Sequence, residues 1–478
     1  MIIGREEELK ALEERYVQPR SNTYAIYGRR RVGKTTLLSE FCKDKPSIFL
    51  TGYTQDANAM LHDMAVELGS FLGREVKVED SGDIFRILST ISSERKVVVV
   101  IDEFPDMVRL CPATPSQLRT FIDTGMKDLN LMMIVCGSSI SSMMEELNDG
   151  EGPLFERFPI QMKILPLRYT DARKLNPDLP EEDRIRIYCI AGGIPLYHLE
   201  FGSDPPEAGI KRMFLGRTPW GLNETNNLVS MELQPSEKYM DILAAIHGGS
   251  TLNEISMNSN IPESKCSTML NKLIFLGIVR KDICYGMKKR TLYRIDDGMI
   301  GFCLEVVQRY SNRREFFDAD KAYENIRDEI SSFYGHRFED ICKEYVVDNY
   351  DCRSIENWWG SVPLFRNGRM IIGDDGKVVT EDGDIDIVAT ARSDGANCLV
   401  LGECKFTNKP VGRKELDTLI ARGDSLKERA VEKRYVLFSR SGFSDSFRDY
   451  IDEHPELRVD LVDMETMGMW AESGKDVR

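Results

Sequence analysis

The chain has 478 residues, 42% hydrophobic and 29% charged, the balance of globular protein in about three domains. Its 63 Lys and Arg against 78 Asp and Glu leave a net charge of −15, which excludes a protein that coats nucleic acid uniformly but not one local basic face. No apolar run approaches the roughly 18 residues that cross a bilayer, the opening MIIGREEELK is acidic where a secretion signal is basic, and eleven scattered cysteines with only five histidines exclude a zinc framework. A cytoplasmic protein with reduced thiols and no membrane partner is expected.

Glu6 to Tyr16 is predicted as a short charged helix. Thr23 to Tyr27 is an apolar strand, followed by a glycine loop and a helix over Thr35 to Cys42. Ser47 to Thr51 is a strand, and Asn58 to Leu72 has helical spacing. Lys96 to Asp102 and Leu131 to Cys136 are continuous apolar runs, the mark of strands buried on both faces. Strands alternating with helices imply a parallel sheet. From Thr170 to about Leu233 the pattern is helical. Tyr239 to Ile246, Thr251 to Ser256 and Ser264 to Leu276 are three short helices, followed by a hairpin over Ile283 to Ile295: the winged-helix order. Lys272 to Arg314 is the clearest basic stretch of an acidic chain. Beyond Asp320 come a long helix, Ser331 to Tyr350, strands at Asp384 to Thr390, Cys398 to Phe406 and Arg434 to Ser439, and a helix over Arg413 to Ala430. The boundaries expected are a core over 1–168, a helical segment over 169–233, a winged helix over 234–298, a linker helix over 299–319 and a last α/β domain over 320–478.

Gly28-Arg29-Arg30-Arg31-Val32-Gly33-Lys34-Thr35-Thr36 contains G-x-x-x-x-G-K-[ST], placed between a strand and a helix as its mechanism requires. The glycines let backbone N–H groups surround phosphates, and the helix N-terminus adds its dipole. Lys34 would reach the β- and γ-phosphates and Thr35 would bind Mg²⁺, so ATP and Mg²⁺ are the expected cofactors. The strand at Val97 delivers Asp102 and Glu103 at its carboxyl end. Asp102 would hold Mg²⁺, and Glu103 would act as general base on the attacking water.

With these motifs the chain resembles the archaeal-type STAND ATPases, an AAA+-like family whose members often carry a nuclease-like C-terminal domain. Gly4 and Arg5 sit in a segment similar to the family's G-R-x-x-E-L box, which the resemblance places near the adenine. Ser138 ends the strand where the family has its sensor residue. Gly192-Gly193-Ile194-Pro195 resembles the lid element whose proline packs by the base. Gly152 to Arg157 resembles P-L-Y-G-R, with Glu156 in place of the glycine and Arg157 as the catalytic arginine. The resemblance implies a P-loop sheet, a helical lid over 169–233 and a winged helix.

A second candidate site lies near the C-terminus. Asp386 is on one strand; Glu403 and Lys405, two apart, share a face of the next. Two carboxylates can hold a divalent metal, and Lys405 would orient water or offset charge. This D…E-x-K pattern, with Glu339 on a preceding helix, resembles the PD-(D/E)xK restriction-endonuclease-like fold. Trp358 and Trp359 could stack on bases or fill a core. The acidic Asp374-Asp375 and Glu381-Asp382 read as a solvated hairpin. Lys265 and Lys272 on a recognition helix and Lys288-Lys289-Arg290 on a wing could face DNA; the alternative is a packing module. The reading is an ATP-driven switch coupled to a DNA-handling, nuclease-like domain. One alternative is a DNA-binding or signalling regulator with a silent C-terminal domain. Another is an assembly protein whose nucleotide state governs homo-oligomerisation.

Overall fold

The computed structural model describes residues 2–53, 55–233, 235–308, 318–366, 369–372, 377–393, 395–426 and 432–473. Two compact units emerge: Met1–Leu167 with Ile194–Leu196, and Arg168–Gly193 with Tyr197–Arg478.

In the first unit five strands form one parallel sheet: β1 (Asn22–Tyr27), β2 (Ser47–Thr51), β3 (Val97–Asp102), β4 (Leu131–Gly137) and β5 (Gln161–Lys163), in the order β2-β3-β4-β1-β5. Every residue of β3 and β4 is buried, as their unbroken apolar sequences require of strands covered on both faces. The helix Ala57–Leu72 starts where Asp56 accepts from the backbone N–H of Asn58 and Ala59. It places Met60, Met64 and Leu68 against Leu50, Val99 and Ile101. The order puts β4 between β1 and β3, with Tyr27 beside Gly137 and Ile101 beside Val135. The carboxyl ends of β1, β3 and β4 therefore end level, which is where ligands sit in open α/β sheets.

The second unit opens with helices between Tyr169 and Glu232, then Ser236–Ala244, Leu252–Ser259 and Glu263–Phe275. Thr251 and Glu254 form a reciprocal cap on the middle helix of these three, and Asn260 ends it in the left-handed conformation. A hairpin follows, β6 (Val279–Cys284) and β7 (Met287–Ile295). Then come the long helix Arg327–Asn349 and strands β8 (Asp351–Pro363), the two-residue β9 (Phe365–Arg366) and β10 (Arg369–Met370), β11 (Thr380–Ser393), β12 (Ala396–Lys405), β13 (Glu432–Ser439) and β14 (Val459–Val462). Seven strands form a mixed sheet in the order β14-β13-β12-β11-β8-β6-β7.

The hairpin is thus not an isolated wing. Cys284 pairs in parallel with Asn357 of β8, Tyr285 N–H donates to the Asn357 carbonyl at 2.9 Å, and Cys284 is buried in one core with Trp358, Ile385 and Leu401. Arg280 bridges the hairpin to the long helix through Asp340 at 2.7 Å, and Arg337 of that helix donates to the carbonyls of Ile295, Asp296 and Asp297. The stretch expected as a linker helix is core through Val307: Met299, Ile300, Phe302, Cys303, Val306 and Val307 are buried. Glu381 and Asp382 lie exposed on β11, whereas Asp374 and Asp375 fall outside the described residues.

Candidate functional site: a phosphate loop and a carboxylate cluster

The loop after β1 is shaped by two glycines. A Cβ on Gly28 would lie 2.5 Å from the Ile164 carbonyl oxygen, and Gly33 caps the helix Lys34–Cys42 at φ 96°. Lys34 is buried and its Nζ donates to the carbonyls of Gly28 (2.9 Å) and Arg29 (3.0 Å), so the ammonium lies along the loop. Val32 is wholly buried, Arg31 takes a left-handed backbone at φ 67°, and Thr36 follows Thr35 in the first turn of the helix.

Thr35 Oγ1 donates to Asp102 Oδ2 at 2.8 Å, joining the first turn of the helix to the end of β3. The hydroxyl and the buried carboxylate are hard oxygen donors of the kind Mg²⁺ takes together with substrate phosphates and water. Glu103 follows in the left-handed region, φ 50° and ψ 46°. That turns its carboxylate toward the end of β4, where Oε2 accepts from Ser138 N–H at 2.9 Å and from Ser138 Oγ at 2.8 Å. A non-glycine residue holding positive φ stores strain of order 1–3 kcal/mol, kept where the surroundings over-determine it. Here they do: Asp102 Oδ1 accepts from Glu103 N–H while Ser138 holds the side chain.

The remaining expected residues divide. Gly4 has φ 63°, and Arg5 is buried behind the loop, donating to the carbonyls of Val32 (3.0 Å) and Leu165 (2.8 Å) and to Glu8. Its guanidinium props the phosphate loop from behind. Arg157 gives its Nε and Nη2 to Asp123 and Nη1 to the Phe155 carbonyl. Glu156, standing where the related motif has glycine, takes φ 60° as glycine would. Pro195 opens the helix Pro195–Phe201. The Gly192 carbonyl before it accepts from Nε2 of the wholly buried His198, whose pKa burial lowers to about 4.

In the second unit β11 and β12 are antiparallel, with Ile387 beside Gly402. That register sets Asp386 against Glu403. Asp386 Oδ2 accepts from Cys404 N–H at 2.8 Å. Burial first, then Glu339 and Glu403, push the Asp386 carboxyl far above its ordinary range. Glu339, reaching over from the long helix, is raised to about 7 by burial, against the pull of Lys343 and Arg294. Glu403 is buried; Oε1 takes Lys405 Nζ at 2.5 Å, while Oε2 is sealed from solvent without a hydrogen bond, its cation Arg422 standing at 3.7 Å. Burial works against the Lys405 charge, but Glu403 and Asp386 hold the ammonium above its usual value.

Three participants were not foreseen. Lys343 donates to Asn357 Oδ1 at 2.7 Å, and Asn357 Nδ2 donates to the Asp386 carbonyl at 2.7 Å and weakly to Glu339 at 3.5 Å. Arg422 donates to the Asp384 carbonyl at 2.7 Å. Lys343 stands four residues after Glu339 on one helix, which is a sequence signal; Asn357 and Arg422 carry none. An orphaned carboxylate oxygen beside a second carboxylate suits a divalent cation. Among the described residues, no three His, Cys, Asp or Glu side chains are arranged as a ready cage for one. Trp358 is buried, and the Arg290 guanidinium lies 5.9 Å from the Trp359 ring centre.

A strand, a glycine loop closing on a lysine, a threonine joined to a buried aspartate and a glutamate held beside it define a P-loop nucleoside-triphosphatase site. The family comparison agrees. Residues 2–201 match the family described as an ATPase domain predominantly from Archaea, and residues 303–419 match a family described as archaeal and bacterial proteins of unknown function. An uncharacterized protein of Methanocaldococcus jannaschii is 27% identical over 370 residues, 75% of this chain and 82% of its own. An uncharacterized ATP-binding protein of the same organism is 44% identical over 45 residues, 9% of this chain and 76% of its own. Among solved structures, the Walker-type ATPase of Pyrococcus abyssi is 21% identical with a TM-score of 0.49, covering 63% of this chain and 96% of that one. The Aeropyrum pernix ORC2 protein is 15% identical with a TM-score of 0.34, covering 70% and 95%. Residues 2–201 are a P-loop ATPase domain.

Proposed function

We propose that the chain is a STAND-type, Mg²⁺-dependent ATP switch coupled to a nuclease-like domain that handles DNA. Its parts would be an ATPase core over 1–168, a lid over 169–233, a winged helix over 234–298, a linker over 299–319 and a PD-(D/E)xK-like domain over 320–478.

In the first site Lys34 would leave the Gly28 and Arg29 carbonyls for the β- and γ-phosphates. Thr35 and Asp102 would hold Mg²⁺, which when bound neutralises phosphate charge. Glu103 would polarise the attacking water, with Ser138 setting its direction. The resemblance assigns Gly4, Arg5 and Pro195 to the nucleotide's surroundings and Arg157 to catalysis. In the structure Arg5 supports that role indirectly, through the loop, and Arg157 would have to leave Asp123.

The convergence of Glu339, Asp386, Glu403 and Lys405 from one helix and two neighbouring strands carries the nuclease reading. Asp386 and Glu403 would hold the metal, which lowers the pKa of a bound water. Lys405 would orient that water, and Glu339, near neutrality in its affinity for protons, would exchange one. A second reading, a nucleotide-switched regulator with a silent C-terminal domain, is favoured by one contact: the Lys405 ammonium already occupies Glu403 Oε1. The test is incubation of linear, circular and single-stranded DNA with Mn²⁺, with and without ATP. Cleavage lost in Glu403→Ala supports the nuclease; DNA binding without cleavage supports the regulator. The described residues contain no helix long and apolar enough to cross a membrane, and no membrane partner is proposed.

A further inference from the structure

The hairpin β6–β7 carries two kinds of cation. Arg280 and Arg294 are spent on carboxylates: Arg280 on Asp340 and Asp282, Arg294 on Asp282 at 3.0 Å. These pairs lie where the hairpin meets the long helix and its own neighbour strand. Lys288, Lys289 and Arg290 are different. All three are exposed, and among the described residues none is paired with a carboxylate.

Their place in the ladder is also irregular. Ile283 pairs with Thr291, but the next residue, Cys284, pairs with Met287. Lys288, Lys289 and Arg290 therefore bulge out of β7 with no partners on β6, a device that re-aims side chains. The bulge sits at the one point where the hairpin joins the rest of the sheet, because Cys284 is also the residue paired with Asn357. Asn357 in turn donates to the Asp386 carbonyl and toward Glu339. From β7 to β11 is three strand spacings, roughly 14 Å, or about four nucleotides of one strand at ~3.4 Å each.

We infer that the Lys288-Lys289-Arg290 bulge is the arm that binds the phosphodiester backbone of the nucleic acid whose scissile bond lies at Asp386 and Glu403. This rests on the nuclease-like reading of the carboxylate cluster and adds what presents the substrate to it. A cluster of carboxylates repels a polyanion. Three cations not paired with carboxylates, three strands away in a chain of charge −15, supply the compensating attraction. Trp359, already under the Arg290 guanidinium, gives the arm an aromatic face.

The test uses the full chain with a labelled 30-nucleotide single strand and the matching duplex as probes, titrated from 0.05 to 0.3 M salt without divalent metal. In the variant Lys288→Gln/Lys289→Gln/Arg290→Gln the salt dependence of duplex binding should be shallower by about 2.7, three contacts at ~0.9 each. At 0.1 M salt that is a loss of affinity of about five-hundredfold. Lys288→Arg/Lys289→Arg should keep both slope and affinity, and ATP hydrolysis should be unchanged in both variants. Unaltered affinity and slope in the Gln variant would overturn the inference and reduce the three cations to protection of an exposed sheet edge, read as faster aggregation of that variant. No binding of either probe by the parent chain would overturn it as well. Arm-dependent binding with no Mn²⁺-dependent cleavage would uphold the arm and overturn the nuclease reading, so the two fail separately. Glu403→Gln should bind the probes through the arm at least as well as the parent.

Discussion

Glu344 offers a measurement of how firmly the helices after Arg168 are built into the second unit. It projects from the long helix, accepts from Tyr169 N–H at 3.0 Å and the Tyr188 hydroxyl at 3.1 Å, and faces Arg168 at 3.4 Å. Burial outweighs these partners and raises its carboxyl to about 7 from an ordinary 4.5. The folded chain thus holds a proton that the unfolded chain releases. Stability from this group is fully present below pH 4.5 and is lost as the pH climbs through 7. At ~1.4 kcal/mol per decade of proton affinity, the loss between pH 5 and 8 is about 2–3 kcal/mol. Glu344→Gln keeps an acceptor for Tyr169 and removes the titration. All four tryptophans, Trp220, Trp358, Trp359 and Trp470, belong to the second unit, so urea unfolding followed by tryptophan fluorescence reports that unit alone. The parent should lose about 2–3 kcal/mol more than the variant between pH 5 and 8. Glu339 and Asp386 titrate in both proteins and cancel in the comparison. Parallel pH profiles, within about 1 kcal/mol, would show that Arg168 and the two tyrosines hold the carboxylate ionised and that the burial argument fails.

Lys34→Ala should abolish ATP turnover in a coupled phosphate-release assay, because it removes the ammonium that lies along the loop; parental rates would disprove the site. Glu103→Gln should keep nucleotide affinity and slow hydrolysis at least about 100-fold. Lost affinity with normal turnover would reverse the roles of Asp102 and Glu103. Ser138→Ala, which removes one of two donors on Glu103, should slow hydrolysis by about tenfold and leave affinity unchanged, read from kcat against KM. Asp386→Ala and Glu403→Ala should each end Mn²⁺-dependent DNA cleavage while ATP hydrolysis continues; loss of both activities would tie the two sites together in a way the separate units do not suggest.

Much of the first unit is legible in the sequence because its signals are local. Val97 to Ile101 can only be a strand covered on both faces, and a glycine loop between strand and helix has one common use. That Glu403 and Lys405 share a face was also legible from parity along one strand, whereas the register that sets Asp386 against Glu403 comes from the antiparallel pairing itself. The hairpin's attachment was not. Cys284 meets Asn357 across more than seventy residues of chain, through a single parallel pair, and no local period encodes a partner that distant. Strand β8 was missed for a related reason. Its sequence, DCRSIENWWGSVP, is mostly half-buried and shows neither strict alternation nor a continuous apolar run. Only β11 on one side and the single β6 pair at Cys284 on the other make it a central strand. The motif around Arg5 does not encode its partners either: its donors go to the Val32 and Leu165 carbonyls, the second of them 160 residues away.

The two acidic sites differ in how their charges are kept. Asp102 and Glu103 sit among donors, Thr35 Oγ1, Glu103 N–H and both groups of Ser138, which stabilise carboxylates before any phosphate arrives. Asp386, Glu339 and Glu403 instead crowd one another in a buried setting, where Lys405 and Arg422 offset only part of the repulsion. The proposed cation at Asp386 and Glu403 would therefore have to displace a proton from Asp386, which makes its binding depend on pH. Cation affinity at the second site should rise with pH, measured by calorimetry with Mn²⁺ on Asp102→Asn, in which the first site is disabled. Release of about one proton per Mn²⁺, read from the dependence of the heat on buffer ionisation, would accompany it. A pH-independent affinity, with no proton released, would mean that Asp386 is ionised beforehand and that Lys405 and Arg422 already balance the cluster.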